Sequence, residues 1–353
     1  MKKLRTTIFF ILSLAAIFGI ASCKLSTGKS KQLVIYTWED MFPQDILSAF
    51  EKDNPGIKIV YKTFDENEEM LDELIRTDGG EYDIIIADDY IVEFVTHPDW
   101  ALAQKLNKGK IENIDNIDYF YQHQFYDPHN EYTIPYGAGI QTIVYDPAKI
   151  KQEITGYKDL WDSSLKNSVG IIGNYRVVNG MALKAIDTDY NTIDTAKIRH
   201  AGEMLKSLAP NIRVIKDTGL EDDLIAGRIS VAVMYTDQAI KSKQARPELK
   251  TVFPIEGIGF GIMAAFIPSK APNPDAAHRF LDYILDPKLG ARCFEYLGYY
   301  CTFKASQAHI NPEMKKHLIL PDLHSFEMIQ NVSQEAEDEH GRIWVEFLAA
   351  VGD

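Results

Sequence analysis

From Leu33 onward, short apolar runs alternate with amphipathic segments. Leu33 to Tyr36 (LVIY) reads as a short buried strand, and Thr37-Trp38-Glu39-Asp40 follows at once. Gln44 to Asp53 sets Ile46, Leu47 and Phe50 on one helical face, and Asn54-Pro55-Gly56 stops that helix. Ile57 to Phe64 alternates as a second strand, and Asn67 to Arg76 has the spacing of an amphipathic helix. Asp78-Gly79-Gly80 turns the chain into Tyr82 to Ile86, a buried central strand that runs out at Ala87-Asp88-Asp89-Tyr90. Strand, helix, strand, helix, strand in about sixty residues predicts a βαβ sheet. Ligands of such sheets bind beyond the carboxyl ends of the strands, and two of those ends carry Trp38-Glu39-Asp40 and Asp88-Asp89-Tyr90.

Further along, Tyr132 to Asp146 (YTIPYGAGIQTIVYD) reads as a strand, a glycine-rich kink and another strand. Tyr157 to Trp161 leads into a second αβ region. Its elements are Val169 to Ile172, a long helix over Thr195 to Leu208, and a strand over Ser230 to Tyr235. Gly259 to Ile267 reads as a return strand, and the chain from Pro274 onward reads as helical. There is no internal repeat and no low-complexity block.

The N-terminus differs in kind. Met1 to Arg5 is basic, Thr6 to Gly19 is a nearly unbroken apolar run, and Ala21-Ser22-Cys23 follows. This is the layout of a secretory signal, with an apolar run too short for a comfortable membrane span. Ile20 to Cys23 resembles the lipobox of bacterial lipoproteins, in which the cut falls before the cysteine and its thiol is acylated. An ordinary signal peptide with an incidental cysteine fits the same residues. The lipoprotein reading makes 1–22 the signal, Cys23 the lipidation site and 24–32 a polar tether, with the globular body beginning near Leu33. Cys293 and Cys301 are compatible with a disulfide, which export permits, or with two buried thiols.

Composition narrows the function classes. The 353 residues are 46% hydrophobic and 25% charged, an ordinary globular balance with length for two domains. The formal charge is −14, which becomes −17 without Lys2, Lys3 and Arg5. That balance disfavours nucleic acid as a partner and suits either plain solubility or a cationic ligand. Nucleophile elbow, P-loop, zincin helix and dinucleotide fingerprint are all missing, and the nine histidines form no pair at metal-ligand spacing. The reading is a non-enzyme without cofactor or metal.

An ordered set of stretches carries a resemblance. They are IYTWEDMFP (35–43), TFDENEEM (63–70), GGEYDIIIADDYIVE (79–93), DPHNEYTIPYGAG (127–139), YKDLWD (157–162), AGRISVAVMY (226–235), FPIEG (253–257), FIPSKAPNPDAAHRFLDYILDP (266–287) and EYLGYY (295–300). Together they resemble the spermidine/putrescine-binding proteins of bacterial ABC importers. The resemblance implies an α/β, two-lobe periplasmic-binding-protein fold (type II), each lobe a central mixed sheet flanked by helices. It places lobe 1 at 33–140 plus 262–310, lobe 2 at 141–261 plus 311–353, and a ligand cleft between them that closes by hinge motion. It further implies delivery of a polyamine to a membrane permease. The lipobox-like segment places the chain on the outer side of a bacterial membrane, tethered through Cys23. The sequence gives no sign of oligomerisation, so a monomer is expected.

Polyamines are extended aliphatic chains bearing ammonium groups. Aromatic faces suit the methylenes and attract the cations, and carboxylates must meet the desolvated amines. Carried over by position, Trp38, Tyr90, Tyr235 and Tyr299 fall on aromatic cleft positions, Asp40 on an acidic one and Glu39 on its polar neighbour. The residues alone also leave core aromatics as the alternative for Trp38, Tyr235 and Tyr299. Departures are substantial: the family's principal carboxylates align with Asn174, Val177 and Met263, an aromatic clamp with Gly261 and a tyrosine with Met41. Asp88 and Asp237 are the candidate replacement acids, with solvated loop acids as their alternative. Arg176 either pairs with an acid or, if it entered the cleft, would favour an anionic or zwitterionic solute. The other functions open to this fold are binding of an amino-phosphonate, a thiamine-like cation or a ferric ion, or a surface lipoprotein with a degenerate cleft.

Overall fold

The computed structural model describes residues 31–316 and 326–352; the signal segment, Cys23 and the tether up to residue 30 lie outside them. Lobe 1 opens with β1 (Lys31–Thr37), α1 (Gln44–Asp53), β2 (Ile57–Thr63), α2 (Asn67–Arg76), β3 (Ile84–Asp88) and α3 (Asp89–Thr96). The strands are parallel, with β1 central between β2 and β3. Lys31 and Gln32, read as the end of the tether, are strand residues facing Ile57 and Lys58. Their side chains are exposed, so no apolar signal marks them.

Next comes β4 (Thr133–Tyr145), one continuous strand of 13 residues rather than two strands about a kink. The glycine-rich stretch produces only a register irregularity between Pro135 and Gly137. Thr133 to Ile140 pair with the return strand, while Gln141 to Tyr145 pair with a strand of the second lobe. That lobe contains β5 (Val169–Ile171), α4 (Tyr175–Ala185), α5 (Thr195–Leu208), β6 (Ile212–Ile215), α6 (Leu220–Ile225), β7 (Val231–Tyr235), α7 (Thr236–Ala245) and β8 (Lys250–Val252). The chain returns through β9 (Ile258–Phe266), antiparallel to both β3 and β4.

The last third holds α8 (Pro274–Ile284), α9 (Pro287–Leu297), α10 (Pro312–Lys315) and α11 (Gln334–Gly352). It is not wholly helical: β10 (Tyr300–Cys301) pairs with β4, and β11 (Phe326–Met328) with β9. The strand path is β2-β1-β3-β9-β4-β7-β5-β6, so β4 and β9 join the halves into one twisted sheet. Cys293 and Cys301 are both free and buried.

Helix ends follow local chemistry. Asp194 caps α5 by accepting from the Ala196 and Lys197 amides, and Asp286 caps α9 ahead of Pro287. Gly298 ends α9 at φ +75°, a left-handed position that glycine takes without strain. The helix α4 has buried residues at nearly every position from Val177 to Ala185, the polar Asn179 included, so its burial extends beyond the apolar stripe of Val177, Val178, Met181 and Ala182.

Between α4 and α11, His340 is fully buried; Asn179 Nδ2 donates to its carbonyl and approaches its Nδ1, while Nε2 has no partner among the described residues. Burial, reinforced by the Arg176 charge, depresses its pKa to about 3. Unfolded, the imidazole takes up a proton near pH 6.5; folded, it stays neutral far below that. This contribution to stability is therefore lost as pH falls from about 6.5 towards 3, by about 2 kcal/mol at pH 5 relative to pH 7. Urea unfolding at the two pH values should show the change in stability from pH 7 to pH 5 differing by about 2 kcal/mol between the protein and His340→Gln.

Candidate interlobe ligand cleft

The site forms where β4 and β9 cross between the lobes. Gly137 faces Met263 and Gly139 faces Gly261 in register, so much of this floor is bare backbone. A Cβ at Gly139 would lie 3.7 Å from the rings of both Tyr235 and Tyr299. Tyr235 closes β7 and caps α7, while Tyr299 is aimed by the left-handed turn at Gly298. Both rings are half-buried. Two glycines thus let tyrosines from opposite lobes stand over the crossing.

Carboxylates surround these rings. Asp88, the last residue of β3, would ordinarily cap α3, but its Oδ2 accepts instead from Asn67 Nδ2 at 2.9 Å. Burial lifts its pKa to about 6, partly opposed by that hydrogen bond. The neighbouring Asp89, 4% exposed, accepts from the Tyr90 amide at 2.9 Å and the Ile262 amide at 2.8 Å. Burial and then Asp88 push its carboxyl well above the usual carboxylate range. From lobe 2, Asp237 is also raised by burial, with Lys241 3.7 Å away as a partial counterweight. Lys241 stands 3.7 Å from Glu221 as well, and both Asp237 Oδ1 and Glu221 Oε2 are buried without hydrogen-bond partners among the described residues.

The hydroxyls of Tyr235 and Tyr299 are held protonated. For each, burial is the main cause, followed by Asp88 for Tyr235 and by Asp237 and then Asp88 for Tyr299. Asp88, Tyr235, Asp237 and Tyr299 therefore occupy one electrostatic neighbourhood. Tyr90 borders it, its hydroxyl donating to Glu68 Oε1 at 3.0 Å and its pKa raised by burial and by Glu68. Trp38 is half-buried against Phe64, ring centroids 5.0 Å apart, and its carbonyl accepts from the Tyr61 hydroxyl at 2.8 Å. Glu39 and Asp40 are exposed and act on Tyr61, while Asp40 also acts on Tyr296; neither joins the Asp88 group.

The positions that depart from the resemblance have structural uses. Asn174 caps α4 by accepting from the Val177 amide at 3.1 Å, and Val177 is buried. Met263 is 7% exposed in the core under Gly137. Arg176 pairs with an acid: its Nη1 lies 3.2 Å from Glu337 Oε2 and its Nη2 donates to the Gln330 carbonyl at 3.1 Å. Tyr175 donates to the other oxygen of Glu337.

Asn67, Glu68, Asp89, Glu221 and Lys241 escape a reading by motif. Of these, only Asp89 carried a signal, as the second acid at a strand end. The lobes also meet away from β4 and β9. Gly298 lies close enough to Asp237 that a Cβ would sit 3.1 Å from its Cα, and Asn331 Nδ2 donates to the Tyr90 carbonyl at 3.0 Å and to Glu93 Oε2 at 2.6 Å. Among the described residues, no His/Cys/Asp/Glu cluster is arranged to hold a metal ion, and no helix is long and apolar enough to cross a membrane.

A two-lobed α/β chain with an acidic, tyrosine-lined cleft at its shared strands defines a solute-binding protein of the periplasmic type. The chain belongs to the bacterial extracellular solute-binding protein family, whose profile it matches over residues 45–321. It is a family of binding components rather than enzymes. The spermidine/putrescine-binding periplasmic protein of Salmonella typhimurium is 30% identical over 287 residues, 80% of each chain. The Escherichia coli protein of the same description is 29% identical over 283 residues, again 80% of each. The crystal structure of the spermidine/putrescine substrate-binding protein PotD from Streptococcus pneumoniae superimposes with a TM-score of 0.82 at 27% identity, covering 91% of this chain and 100% of that one.

Proposed function

We propose that this protein is the polyamine-capturing subunit of an ABC importer, held outside the cytoplasm by acylated Cys23 and acting as a monomer. Its lobes, 33–140 plus 262–310 and 141–261 plus 311–353, close on the ligand about the shared strands and present it to a membrane permease. The observation that carries this reading is the set of enclosed carboxylates Asp88, Asp89 and Asp237 around two tyrosines, with Lys241 as the neighbouring cation on one side only. Enclosed carboxylates without a close cation are costly, and a ligand ammonium relieves that cost. Tyrosine faces take up the methylenes and attract the cationic ends, at about 0.5–2 kcal/mol each. The relatives named for spermidine and putrescine support the same ligand class.

In this arrangement Asp88 and Asp237 meet ammonium groups from opposite lobes, Tyr235 and Tyr299 pack the chain between them, and Tyr90, Trp38, Glu39 and Asp40 line the approach. Calorimetric titration with putrescine, spermidine and spermine should give micromolar or tighter binding for at least one of them, about −8 kcal/mol. No heat and no thermal shift with any of the three would remove the polyamine assignment and leave the fold untouched.

A further inference from the structure

At Gly261 the cleft floor lacks a side chain beside a buried carboxylate. A Cβ at this half-buried position would meet only Asp89, 3.5 Å from Oδ2 and 4.0 Å from Oδ1. Both oxygens of one carboxylate are thus presented to the same small space. Each already accepts one backbone N–H, from Tyr90 and from Ile262, which leaves a second lone pair on each. Gly139, the register partner of Gly261, extends the bare floor to the rings of Tyr235 and Tyr299. Tyr126, 4% exposed, brings into the field of Asp89 a hydroxyl that is buried without a hydrogen-bond partner among the described residues.

A primary ammonium is compact and strongly hydrated, and gains little from a flat floor. A guanidinium is planar, less hydrated, stacks on aromatic faces and offers two parallel N–H groups that match a carboxylate edge. We propose that Gly261 is a specificity-determining position that admits a planar guanidinium head, which lies over Gly261 beside the rings that cover Gly139 and forks onto Asp89. The ammonium at the other end of the ligand falls to Asp237, on the opposite lobe. The position where the resemblance places an aromatic clamp becomes the opening for the head. This inference rests on the amine-binding reading above and refines which amines the cleft prefers.

Agmatine and putrescine make the test, since they share a tetramethylene chain and differ only in one guanidinium for one ammonium. By calorimetry at pH 7.5, agmatine should bind at least about tenfold more tightly than putrescine. Gly261→Leu fills the space and should erase that preference, lowering agmatine affinity at least about tenfold more than putrescine affinity. Gly261→Ala, whose methyl group fits at van der Waals distance, should reduce the preference in part and guards against misfolding of the larger variant. Equal affinities, or tighter putrescine, in the unmodified protein overturn the proposal and leave the amine-binding reading standing. Failure of both ligands to bind overturns the two together.

Discussion

Asp88→Asn should lose polyamine binding and gain stability, and the opposite signs would separate a site residue from a folding residue. In the folded chain Asp88 titrates near pH 6 because burial disfavours its charge, whereas the unfolded carboxyl titrates near the ordinary 3.8. Its contribution to stability is therefore fullest below about pH 4 and falls as pH rises to about 6, so at pH 7.5 the folded state holds an ionised group at a cost. Asparagine removes that cost and keeps an oxygen to accept from Asn67, so unfolding free energy at pH 7.5 should rise by about 1–3 kcal/mol. Removing the carboxylate from an ammonium it would meet in the cleft should cost about 2–5 kcal/mol, or about 30- to 5,000-fold in affinity. A cationic ligand holds Asp88 ionised, so binding near pH 6 should release a fraction of a proton. Below that pH, affinity should fall by up to about tenfold per unit. Calorimetry in buffers of different ionisation enthalpy reads the proton, and urea unfolding reads the stability. A variant that lost both binding and stability would place Asp88 in the core rather than the site.

Gly180→Ala should be the most damaging small substitution in the second lobe. A methyl group there would lie 2.0 Å from Tyr190 Cδ1 and 2.1 Å from Cε1. The ring has little room to withdraw: it is 1% exposed, its hydroxyl bonds to Gln141 Oε1 and the Tyr157 hydroxyl at 3.1 Å each, and Gly259 also approaches it closely. Overpacking of this severity should cost about 3 kcal/mol or more. The urea midpoint should fall at an unchanged slope. Gly341→Ala in α11 is the control, because nothing lies within 4 Å of the added methyl. Replacing that helix-interior glycine should stabilise by about 0.5–1 kcal/mol.

The first lobe was legible because its elements bury one face each: Ile46, Leu47 and Phe50 keep helical spacing, and β3 is bounded by a glycine turn and an acidic strand end. The same logic failed for α4, buried nearly all round, and for α7, whose residues are mostly polar and give only a weak apolar stripe. A strand that changes partners halfway reads as two strands, because Gly137 and Gly139 look like a break when they are instead clearance, Gly137 for the Met263 side chain and Gly139 for the rings of Tyr235 and Tyr299. Within the site, Asp88, Tyr235, Asp237 and Tyr299 were found by position and come together in space. The hydrogen bond that turns Asp88 away from its cap comes from Asn67 across the lobe, and no spacing in the sequence announces such a contact.

Sharing β4 and β9 also constrains the order in which the molecule can be built. The lobe-1 path β2-β1-β3 continues only through β9, whose residues 258–266 are made long after residues 31–88. As the chain emerges, its first three strands wait with one edge of β3 unpaired until most of the second lobe has followed. Such distant pairing favours slow folding and a long exposure of the apolar strand IIIAD. A chain that must cross a membrane before it folds gains from this delay, because its first lobe cannot close while the rest is still being made.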